Sequence, residues 1–459
     1  MEVIHHTLSS FLQTAEMIVD EIEHGVNYPS FQLKLQDILN ELGRNVCREV
    51  LEAADRYVRE HKEEREGWVV VRRDTKKVLS PFGEVSYERT YYRHKETGEY
   101  RYLADEMAGY GPHTRVDIAL KANLVDAASE LSYRKSGREP EKQAKGTQVS
   151  GQTVLNAIRI MDPQVEIEPP KKKRKTRIIY IEADEDHVAS QDGRMRAVPL
   201  VYVHEGKRNL GSRNKLKNVR YFTGVYRDLE ELWYEVLDYL EQTYELEEVE
   251  YIYISGDAAS WIRAGTEIIP NSIFVLDRYH LAKYIVAAVG KNNELSRALW
   301  KAIDAADLDQ AKAVLKEAYR KAETQQRKKA IRTTQRYIVG NWDGIEVYKT
   351  HKDIIGCSAE GHVSHVLSAR LSSRPMGWSR HGMDQMARIR VLKANGYDVR
   401  YEYLKQHSRP TTLLKIAQVE IQKERRKLEQ PPFEMLDNIP ALKGPRNGIS
   451  HILRLLKSA

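Results

Sequence analysis

The stretch RIIYIEADEDHVASQ, residues Arg177 to Gln191, begins as an apolar β-strand and runs into a cluster of acids. Four of the five residues from Glu182 to Asp186 carry a carboxylate. Because side chains alternate along a strand, Glu182, Asp184 and Asp186 share one face, and alternation does not select among them. Carboxylates crowded on a buried strand repel one another and take up protons unless a cation neutralises them. The stretch therefore indicates a cation site beside a buried strand.

The chain after this strand predicts an α/β sheet of the ribonuclease H type. Further strand patterns lie at residues 197–206, 218–226, 249–257 and 272–277. A helical pattern at 229–244 separates the third strand of the series from the fourth. We expect Asp184 to end the first strand and Asp257 to end the fourth. Ligands of α/β sheets bind where strands end, so these two aspartates are expected to converge.

Carboxylate oxygens of this kind favour Mg²⁺, with Mn²⁺ as a possible substitute. Two such ions support phosphoryl transfer, one at the attacking oxygen and one at the leaving oxygen. The segment CSAEGHVSHVLSARLSSRPMGWS supplies a third carboxylate, Glu360, at the start of a helical stretch. Most of the chain between Asp257 and Glu360 has a helical pattern, which predicts an all-α insertion at 285–350. The insertion divides the core into a first part at 178–284 and a last part at 351–459, which holds the final core helix and a basic carboxyl-terminal region.

A mostly helical DNA-binding region containing a small β unit is predicted before this core. Its parts are a helical region at 1–66, a small antiparallel β unit at 67–110 and a second helical region at 111–167. The last part has the layout of a helix-turn-helix, whose second helix starts at a Ser150 cap and presents Gln152, Asn156 and Arg159. Simple helix packing with a solvated polar face is the alternative.

A basic linker, EPPKKKRKTR at residues 168–177, joins this region to the core. The chain has a net charge of +7 and a pI of about 9.0, which favours a polyanionic partner. We expect the linker to follow a phosphate backbone, and a solvated hinge is the alternative. The cations concerned are Lys171, Lys172, Lys173, Arg174 and Lys175.

Several classes of protein are excluded by composition. The only cysteines, Cys47 and Cys357, cannot form a disulfide framework. No apolar run reaches the roughly 20 residues of a membrane span. The amino terminus is acidic and amphipathic, unlike a signal peptide. These features predict a cytoplasmic protein without a membrane partner, associated with the nucleoid when it binds DNA.

Five motifs, taken in order, resemble bacterial insertion-sequence transposases of the ISLre type, which belong to the Mutator-like class of D-D-E transposases. The motifs are IEADEDHVASQ, YISGDAASWI, FVLDRYHLAKYI, YIVGNWDGI and CSAEGHVSHVLSARLSSRPMGWS. The resemblance covers nearly the whole chain and includes SPFGEVSYERTYY near the amino terminus. It implies that Asp184, Asp257 and Glu360 form the catalytic, metal-binding triad. It also marks Asp277 and His280 as a D-x-x-H pair, to which we assign a role in DNA positioning.

The resemblance implies a DNA transposase that cleaves strands at terminal inverted repeats and transfers them into target DNA. Its partners would be both DNAs and further copies of the chain, in a homodimer or a larger homo-oligomer. Arginines after Glu360 suit bidentate phosphate contacts, and we expect three of them to position DNA. They are Arg370, Arg374 and Arg380.

Alternatives remain for the ligands and for the function. Asp186 could replace Asp184 as the first ligand, and Asp277 could replace Glu360. His362 and His365 are spaced for zinc on one helix face, which would fit a zinc-dependent hydrolase. A DNA-binding protein with an inactive nuclease-like fold is the non-enzymatic alternative.

Overall fold

The computed structural model describes residues 2–25, 27–165, 169–210 and 213–408. These residues form two compact units, divided at Met161/Asp162 and at Val399/Arg400. Unit 1 contains the chain up to Met161 and from Arg400 onward, and unit 2 contains the chain between them. Most of the predicted basic carboxyl-terminal region lies outside the described residues. Within the described ranges, no helix is both long and apolar enough to cross a membrane.

Unit 1 begins with two long helices, α1 (Glu2–Glu23) and α2 (Tyr28–Glu60). Asn27 caps α2 by accepting a hydrogen bond from the Ser30 amide at 3.1 Å. Proline in the first turn of α2 is tolerated because the amide it lacks would have no partner within the helix. The α2 helix buries an apolar face that includes Leu51, against the β unit that follows.

The β unit of unit 1 is a three-stranded antiparallel sheet. Its strands are β1 (Trp68–Ser80), β2 (Gly83–His94) and β3 (Tyr100–Arg101). The β1–β2 turn needs glycine at Gly83, where φ is 120° and a side chain would strain the backbone. The buried side chains of Val78, Val85 and Tyr87 face Leu51 of α2. The mixture of helix and small sheet predicted for this part of the chain is therefore present.

Short helices complete unit 1. They are α3 (Leu103–Met107), α4 (Ile118–Ala128), α5 (Tyr133–Ser136), α6 (Gly151–Ile160) and most of α17 (Val399–His407). Single 3₁₀ turns occur at Lys62–Arg65 and Glu139–Lys142. Ser150 caps α6 by accepting a hydrogen bond from the Thr153 amide at 3.1 Å, which confirms the predicted start of this helix. The predicted helix-turn-helix thus has α6 as its second helix, whereas its first helix, α5, is a single turn.

Unit 2 is built on a mixed five-stranded sheet with the order β10-β9-β4-β5-β8. The strands are β4 (Ile178–Ala189), β5 (Met195–His204), β8 (Arg220–Thr223), β9 (Tyr251–Gly256) and β10 (Ser272–Leu276). The β9 strand runs parallel to both β4 and β10, whereas β5 runs antiparallel to β4 and β8. A separate hairpin, β6 (Lys207–Leu210) with β7 (Arg213–Leu216), was not predicted. Because β4 and β9 are parallel neighbours, their carboxyl ends lie at the same edge of the sheet.

Apolar side chains of the central strands form the core of unit 2 with several helices, which include α7 (Glu230–Thr243) and α8 (Ser260–Ile268). A single 3₁₀ turn, Leu246–Glu248, follows α7. The fully buried Trp233 of α7 packs so closely on α8 that a Cβ at Gly265 would lie 2.6 Å from its ring. Glycine at this position permits the close approach of the two helices.

Helices occupy the rest of unit 2. They are α9 (Arg278–Val289), α10 (Glu294–Asp304), α11 (Leu308–Lys321), α12 (Gln325–Gly340), α13 (Trp342–Thr350), α14 (Ala359–Val363), α15 (Ala369–Leu371) and α16 (Arg380–Ala394). A π-helical turn, Ser364–Ser368, joins α14 to α15. The predicted boundary between the core and the helical insertion, at 284/285, falls inside α9. This helix continues from the end of β10 into the insertion without a break.

Side chains cover the two outer strands of the five-stranded sheet. At β8, the Asn395 side chain accepts a hydrogen bond from the Tyr221 amide at 2.8 Å and donates one to the Tyr221 carbonyl at 3.0 Å. At β10, the Tyr348 hydroxyl donates to the Leu276 carbonyl at 3.1 Å. Peptide groups that would otherwise invite pairing with another strand are thereby satisfied.

Candidate active site

Asp184 lies on β4, and Asp257 directly follows β9, the parallel neighbour of β4 in unit 2. The expectation that Asp184 ends its strand is wrong, because pairing with β5 extends β4 to Ala189. The pairing of β4 with β9 does stop at Glu182, opposite Ser255. Asp184 therefore lies where β9 has ended, and Asp257 follows the last residue of β9.

Burial is the main cause that raises the pKa of Asp184, which reaches about 6. The side chain is 8% exposed. A hydrogen bond from the Glu185 amide at 2.8 Å and the nearby His280 oppose the rise. The carboxylates of Asp257 and Glu360 add to the rise, because nearby like charges disfavour ionisation.

The turn after Asp257 is strained and closely held. Ala258 has a φ of 72°, in the left-handed region, at a cost of about 1–2 kcal/mol for a residue with a side chain. Asp257 fixes the turn by accepting a hydrogen bond from the Ala259 amide at 2.9 Å. Its carbonyl accepts a second hydrogen bond, from the Tyr337 hydroxyl of α12, at 2.8 Å. The helical insertion thus contacts the backbone of a predicted ligand.

Glu360 reaches this region from the first turn of α14, and His280 reaches it from α9. The Glu360 carboxylate is 3.9 Å from His280 Nε2 and 3.4 Å from Lys283 Nζ. Single ligand atoms of Asp184, His280 and Glu360 all lie within 4.8 Å of one another. The structure therefore brings together residues from β4, α9 and α14 that are far apart in the sequence.

Asp277 orients His280. It caps α9 by accepting a hydrogen bond from the Tyr279 amide at 2.9 Å, and its other oxygen lies 2.9 Å from His280 Nδ1. This hydrogen bond is the main cause that raises the pKa of His280 above its ordinary value. The imidazole is thus held between Asp277 on one side and the acids Asp184 and Glu360 on the other.

The chemistry of these donors fits a hard divalent cation. Asp184, Asp257 and Glu360 offer only oxygen atoms, the ligands that Mg²⁺ and Mn²⁺ prefer. Asp257 lies outside the group of atoms within 4.8 Å, so the three carboxylates do not form a closed cage. An open arrangement suits Mg²⁺, which retains waters and substrate oxygens among its ligands.

The two alternative ligands are engaged elsewhere to different degrees. Asp277 is occupied by the α9 amide and by His280. Asp186 accepts a hydrogen bond from the Ser372 hydroxyl at 2.7 Å. Its second oxygen is buried and has no donor among the described residues. Asp186 therefore remains an alternative first ligand, whereas Asp277 acts as a support for His280.

Glu182 forms a buried network that sequence reasoning did not detect. One of its oxygens accepts hydrogen bonds from the Ser358 amide at 2.5 Å, the Ser358 hydroxyl at 3.1 Å and the Tyr202 hydroxyl. Its other oxygen is 3.0 Å from His204 Nε2. Ser358 precedes α14, so this network ties β4 to the helix that carries Glu360. No local pattern could reveal it, because Ser358 lies 176 residues from Glu182.

The three arginines predicted to position DNA have different environments. Arg370 is buried, at 5% exposure, and its guanidinium lies 4.9 Å from the centre of the Trp378 ring. The expectation that Arg370 contacts DNA is therefore wrong. Arg374 and Arg380 are exposed, and Arg380 donates a hydrogen bond to the Tyr226 carbonyl at 3.1 Å.

The predicted linker is partly anchored within unit 2. Arg174 lies 3.4 Å from Glu205, and Lys175 pairs with Glu248, so these two cations neutralise acids of their own unit. The neighbouring cations Lys171, Lys172 and Lys173 are exposed and have no acidic partner among the described residues.

The residues of the predicted recognition helix share one exposed face of α6 in unit 1. They are Gln152, Asn156 and Arg159. Gln152 donates a hydrogen bond to the Asn156 side chain at 2.9 Å. Their exposure and spacing leave this face open for contacts with another molecule.

The two histidines of the zinc alternative do not converge with other ligands in the described part of the chain. His362 Nδ1 lies 2.7 Å from the Tyr221 hydroxyl, and its ring packs against Tyr202. Burial lowers the pKa of His362. His365 is exposed. These positions describe a packed ring and a surface residue, not a preformed zinc site.

Several known proteins that are similar to this chain belong to one family. The profile of the uncharacterised protein family UPF0236 matches residues 21–407. A UPF0236 protein of Caldanaerobacter subterraneus subsp. tengcongensis, whose name joins four locus designations, is 40% identical over 460 residues, which cover 100% of this chain and 97% of the relative. Another from the same organism, whose name joins eleven locus designations, is 39% identical over 462 residues with the same coverage of both chains. The UPF0236 protein in the vanSb 3' region of Streptococcus gallolyticus is 25% identical over 396 residues, covering 83% of this chain and 85% of the relative. The chain therefore belongs to UPF0236, an uncharacterised protein family.

Proposed function

We propose that the protein is a DNA transposase of the ISLre type, a metal-dependent D-D-E enzyme. It would cleave DNA strands at terminal inverted repeats and transfer them into target DNA. The observation that carries the proposal is that Asp184 and Glu360 lie within 4.8 Å of each other in unit 2, while Asp257 directly follows the strand that pairs with β4. These carboxylates do not stabilise the fold, because their mutual repulsion opposes folding. They come from a central strand, from the end of its parallel neighbour and from a distant helix.

The arrangement of the sheet supports a ribonuclease H-like core for this enzyme. One sheet contains five strands. Along the chain, its first three strands are followed by a helix, a fourth strand, a second helix and a fifth strand. The first acid lies on the central strand β4, and the second follows the neighbouring β9. The long helical segment before Glu360 corresponds to the insertion that we predicted within such a core.

Both proposed reactions are phosphoryl transfers in the same site. In the first, water attacks a phosphodiester at the repeat end, the P–O bond to the 3′ oxygen breaks, and a 3′ hydroxyl is released. In the second, that hydroxyl attacks a phosphodiester of the target, and a target P–O bond breaks as the new one forms. Bound Mg²⁺ or Mn²⁺, held by Asp184, Asp257 and Glu360, would activate the attacking oxygen and stabilise the leaving oxygen.

His280 would position the DNA for both steps. Because Asp277 holds Nδ1 and raises the pKa of the ring, His280 is suited to carry a proton on Nε2 and donate it in a hydrogen bond to a phosphate oxygen. Arg374 and Arg380, which are exposed after α15, could add phosphate contacts.

The names of the relatives support a mobile element. One UPF0236 name joins eleven loci of a single organism, and another joins four. Repeated loci within one genome are expected of a sequence that copies itself to new positions. An ordinary cytoplasmic hydrolase, such as the zinc alternative, gives no reason for such repetition.

The remaining parts of the proposal concern partners. The exposed face of α6 would read the terminal repeats in the major groove, and Lys171, Lys172 and Lys173 would contact phosphates. Joining two ends requires at least a homodimer. The enzyme would act in the cytoplasm, on the bacterial nucleoid.

The proposal is tested by measuring the cleavage of a labelled duplex across a magnesium titration. The duplex is taken from the DNA that flanks the gene. The wild type should cleave with Mg²⁺ or Mn²⁺. Asp184→Asn, Asp257→Asn and Glu360→Gln should each abolish cleavage while a gel-shift shows retained binding. Asp192→Asn, an exposed acid in the turn after β4, is the matched control and should cleave normally.

Two outcomes would overturn the proposal in favour of the alternatives. Binding of the repeat without cleavage in either ion would identify an inactive nuclease-like binding protein. Cleavage that requires zinc and is lost in His362→Ala would identify a zinc hydrolase.

A further inference from the structure

We propose that a groove between α11 and α12 binds the phosphodiester backbone of duplex DNA at a distance from the candidate active site. The groove has a volume of about 430 Å³. It is lined by Lys312, Ala313, Lys316, Tyr319, Arg332 and Gln335. The identity of the nucleic acid rests on the proposed function, whereas the anionic nature of the ligand rests on the groove itself.

The two helices that form the groove carry an excess of positive charge. Residues 308–340 contain nine lysines and arginines and three acids, a net charge of +6. The whole chain has 73 basic and 66 acidic residues, a net charge of +7. The remaining residues together therefore carry only about one positive charge. The modest net charge conceals a strongly basic segment at the groove, in addition to the basic linker at 168–177, and a locally basic segment is the pattern expected of a polyanion-binding surface.

Helical spacing directs part of this charge into the groove. Side chains three and four residues apart lie on the same helix face, and each helix contributes one such row. The rows are Lys312, Lys316 and Tyr319 on α11, and Lys328, Arg332 and Gln335 on α12. The members of both rows that line the groove face each other across it.

Tyr319 holds the cations of α12 at the groove. The Arg332 guanidinium donates a hydrogen bond to the Tyr319 hydroxyl at 2.6 Å and lies 4.8 Å from the ring centre. Lys328 Nζ lies 5.8 Å from the same ring. Both contacts are cation–π interactions, which orient a cation without neutralising it. Arg332 keeps further donors for a phosphate.

Acids do not neutralise the centre of the groove. Asp309 lies 3.9 Å from Lys312 and is 97% exposed, and Glu317 pairs with Lys321. Lys316 and Arg332 have no acidic partner in the part of the chain that the structure describes. Like charges held together without an internal counter-ion are relieved by an external anion.

The length of the rows favours a polymer over a single anion. Seven residues of α-helix span roughly 10 Å, and phosphates of one DNA strand advance about 3.4 Å along the duplex axis. The groove can therefore face about three consecutive phosphates.

The groove lies away from the candidate active site. Tyr337 of α12 contacts the Asp257 carbonyl. It follows Arg332 by five residues and so lies about 140° around the helix from it. The groove would thus hold DNA outside the phosphate that is cut.

Salt-dependent binding of a random 40-base-pair duplex to the full chain tests the proposal. The double variant Lys316→Gln/Arg332→Gln should reduce the slope of log K against log salt by about 1.8 and the affinity about sixtyfold near 0.1 M salt, at about 0.9 per phosphate contact. The DNA concentration that half-saturates cleavage should rise with this loss. The matched control is Arg297→Gln/Lys301→Gln, which removes two exposed cations of α10 that do not line the groove. It should change neither the salt slope nor the affinity by more than about threefold.

An equal loss of DNA affinity in both double variants would show that only net charge matters. An unchanged affinity in the groove variant would show that the groove does not contact DNA. Either result overturns this inference while cleavage by the wild type leaves the proposed function standing. An RNA duplex of the same sequence is the second arm. A groove variant that loses affinity for RNA alone would assign the groove to RNA. A wild type that binds neither duplex would refute the proposed function as well.

Discussion

Glu182→Gln should destabilise unit 2, because glutamine cannot satisfy the donors that surround this side chain. Glu182 is 2% exposed. The Gly206 amide donates to His204 Nδ1 at 3.1 Å, so His204 must carry its proton on Nε2, which points at one oxygen of Glu182. The Ser358 amide points at the other oxygen. In either orientation, the amide nitrogen of glutamine would face one of these two fixed N–H donors and leave it unsatisfied.

The magnitude follows from the pKa of Glu182. Burial disfavours its charge, but hydrogen bonds from His204, Tyr202 and Ser358 more than compensate and lower the pKa from 4.5 to about 2. This lowering of the pKa corresponds to about 3 kcal/mol of folding stability, because each tenfold change in an ionisation constant is worth about 1.4 kcal/mol. Because the pKa is lowered in the folded state, this stability is present above pH 4.5 and is lost as the pH falls towards 2.

Urea unfolding followed by tryptophan fluorescence measures the effect. At pH 7 the variant should lose about 3 kcal/mol of unfolding free energy, and at a pH of about 3 the difference should shrink to less than half. Asp186→Asn is the control, because Asp186 is also buried on this face of β4 but has only the Ser372 hydroxyl as a hydrogen-bond donor among the described residues. An unchanged unfolding free energy at pH 7, or a difference that does not depend on pH, would refute the reasoning.

Three further predictions concern the site and the recognition helix. Asp184→Asn should raise the free energy of unfolding by about 2–3 kcal/mol at pH 7 in metal-free buffer, measured by the same urea titration. The pKa of Asp184 is about 6 in the folded protein and 3.8 as its ordinary value, so the ionised carboxylate costs stability, which is lost as the pH rises through 6. An unchanged or lower value would contradict the burial of an ionised group. Asp277→Asn should slow cleavage about 10- to 100-fold and move the pH–rate profile to lower pH, because His280 loses the partner that raises its pKa; a profile that only falls in height would count against this role. Gln152→Ala/Asn156→Ala should weaken binding of terminal-repeat DNA by about 1–3 kcal/mol per lost base contact and leave binding of random duplex unchanged in competition gel-shifts; equal loss on both DNAs would remove α6 from sequence reading.

Local patterns in the sequence were sufficient for the elements whose signal is contained in a few neighbouring residues. The run of apolar residues after Arg177 predicted β4, and Ser150 predicted the start of α6, because both depend on short-range geometry. The length of β4 was not predictable in the same way. Its acids resemble the end of a strand, and only pairing with β5 extends it to Ala189.

Side-chain environments were the part that the sequence could not supply. Arg370 lies in a polar, arginine-rich segment typical of a surface, but the packing of Trp378 encloses it. The role of Glu182 depends on Ser358, and its neighbouring acids give no sign of it. Asp184 and Asp257 stood out in the sequence because acids on or directly after buried strands are rare, and their role as ligands stays a prediction. The side chains that contact them come from distant segments.

The covering of the sheet edges has a consequence for synthesis of the protein. Ribosomes complete the last strand at Leu276, but Tyr348 follows 72 residues later, and Asn395 follows Tyr221 by 174 residues. At about 10 residues per second, the nascent sheet waits roughly 10 s before either edge can be fully covered. During that interval its edges are open to strands of neighbouring nascent chains on the same messenger. The helical segment before Glu360 therefore sets the length of a period in which the growing chain depends on dilution or on chaperones.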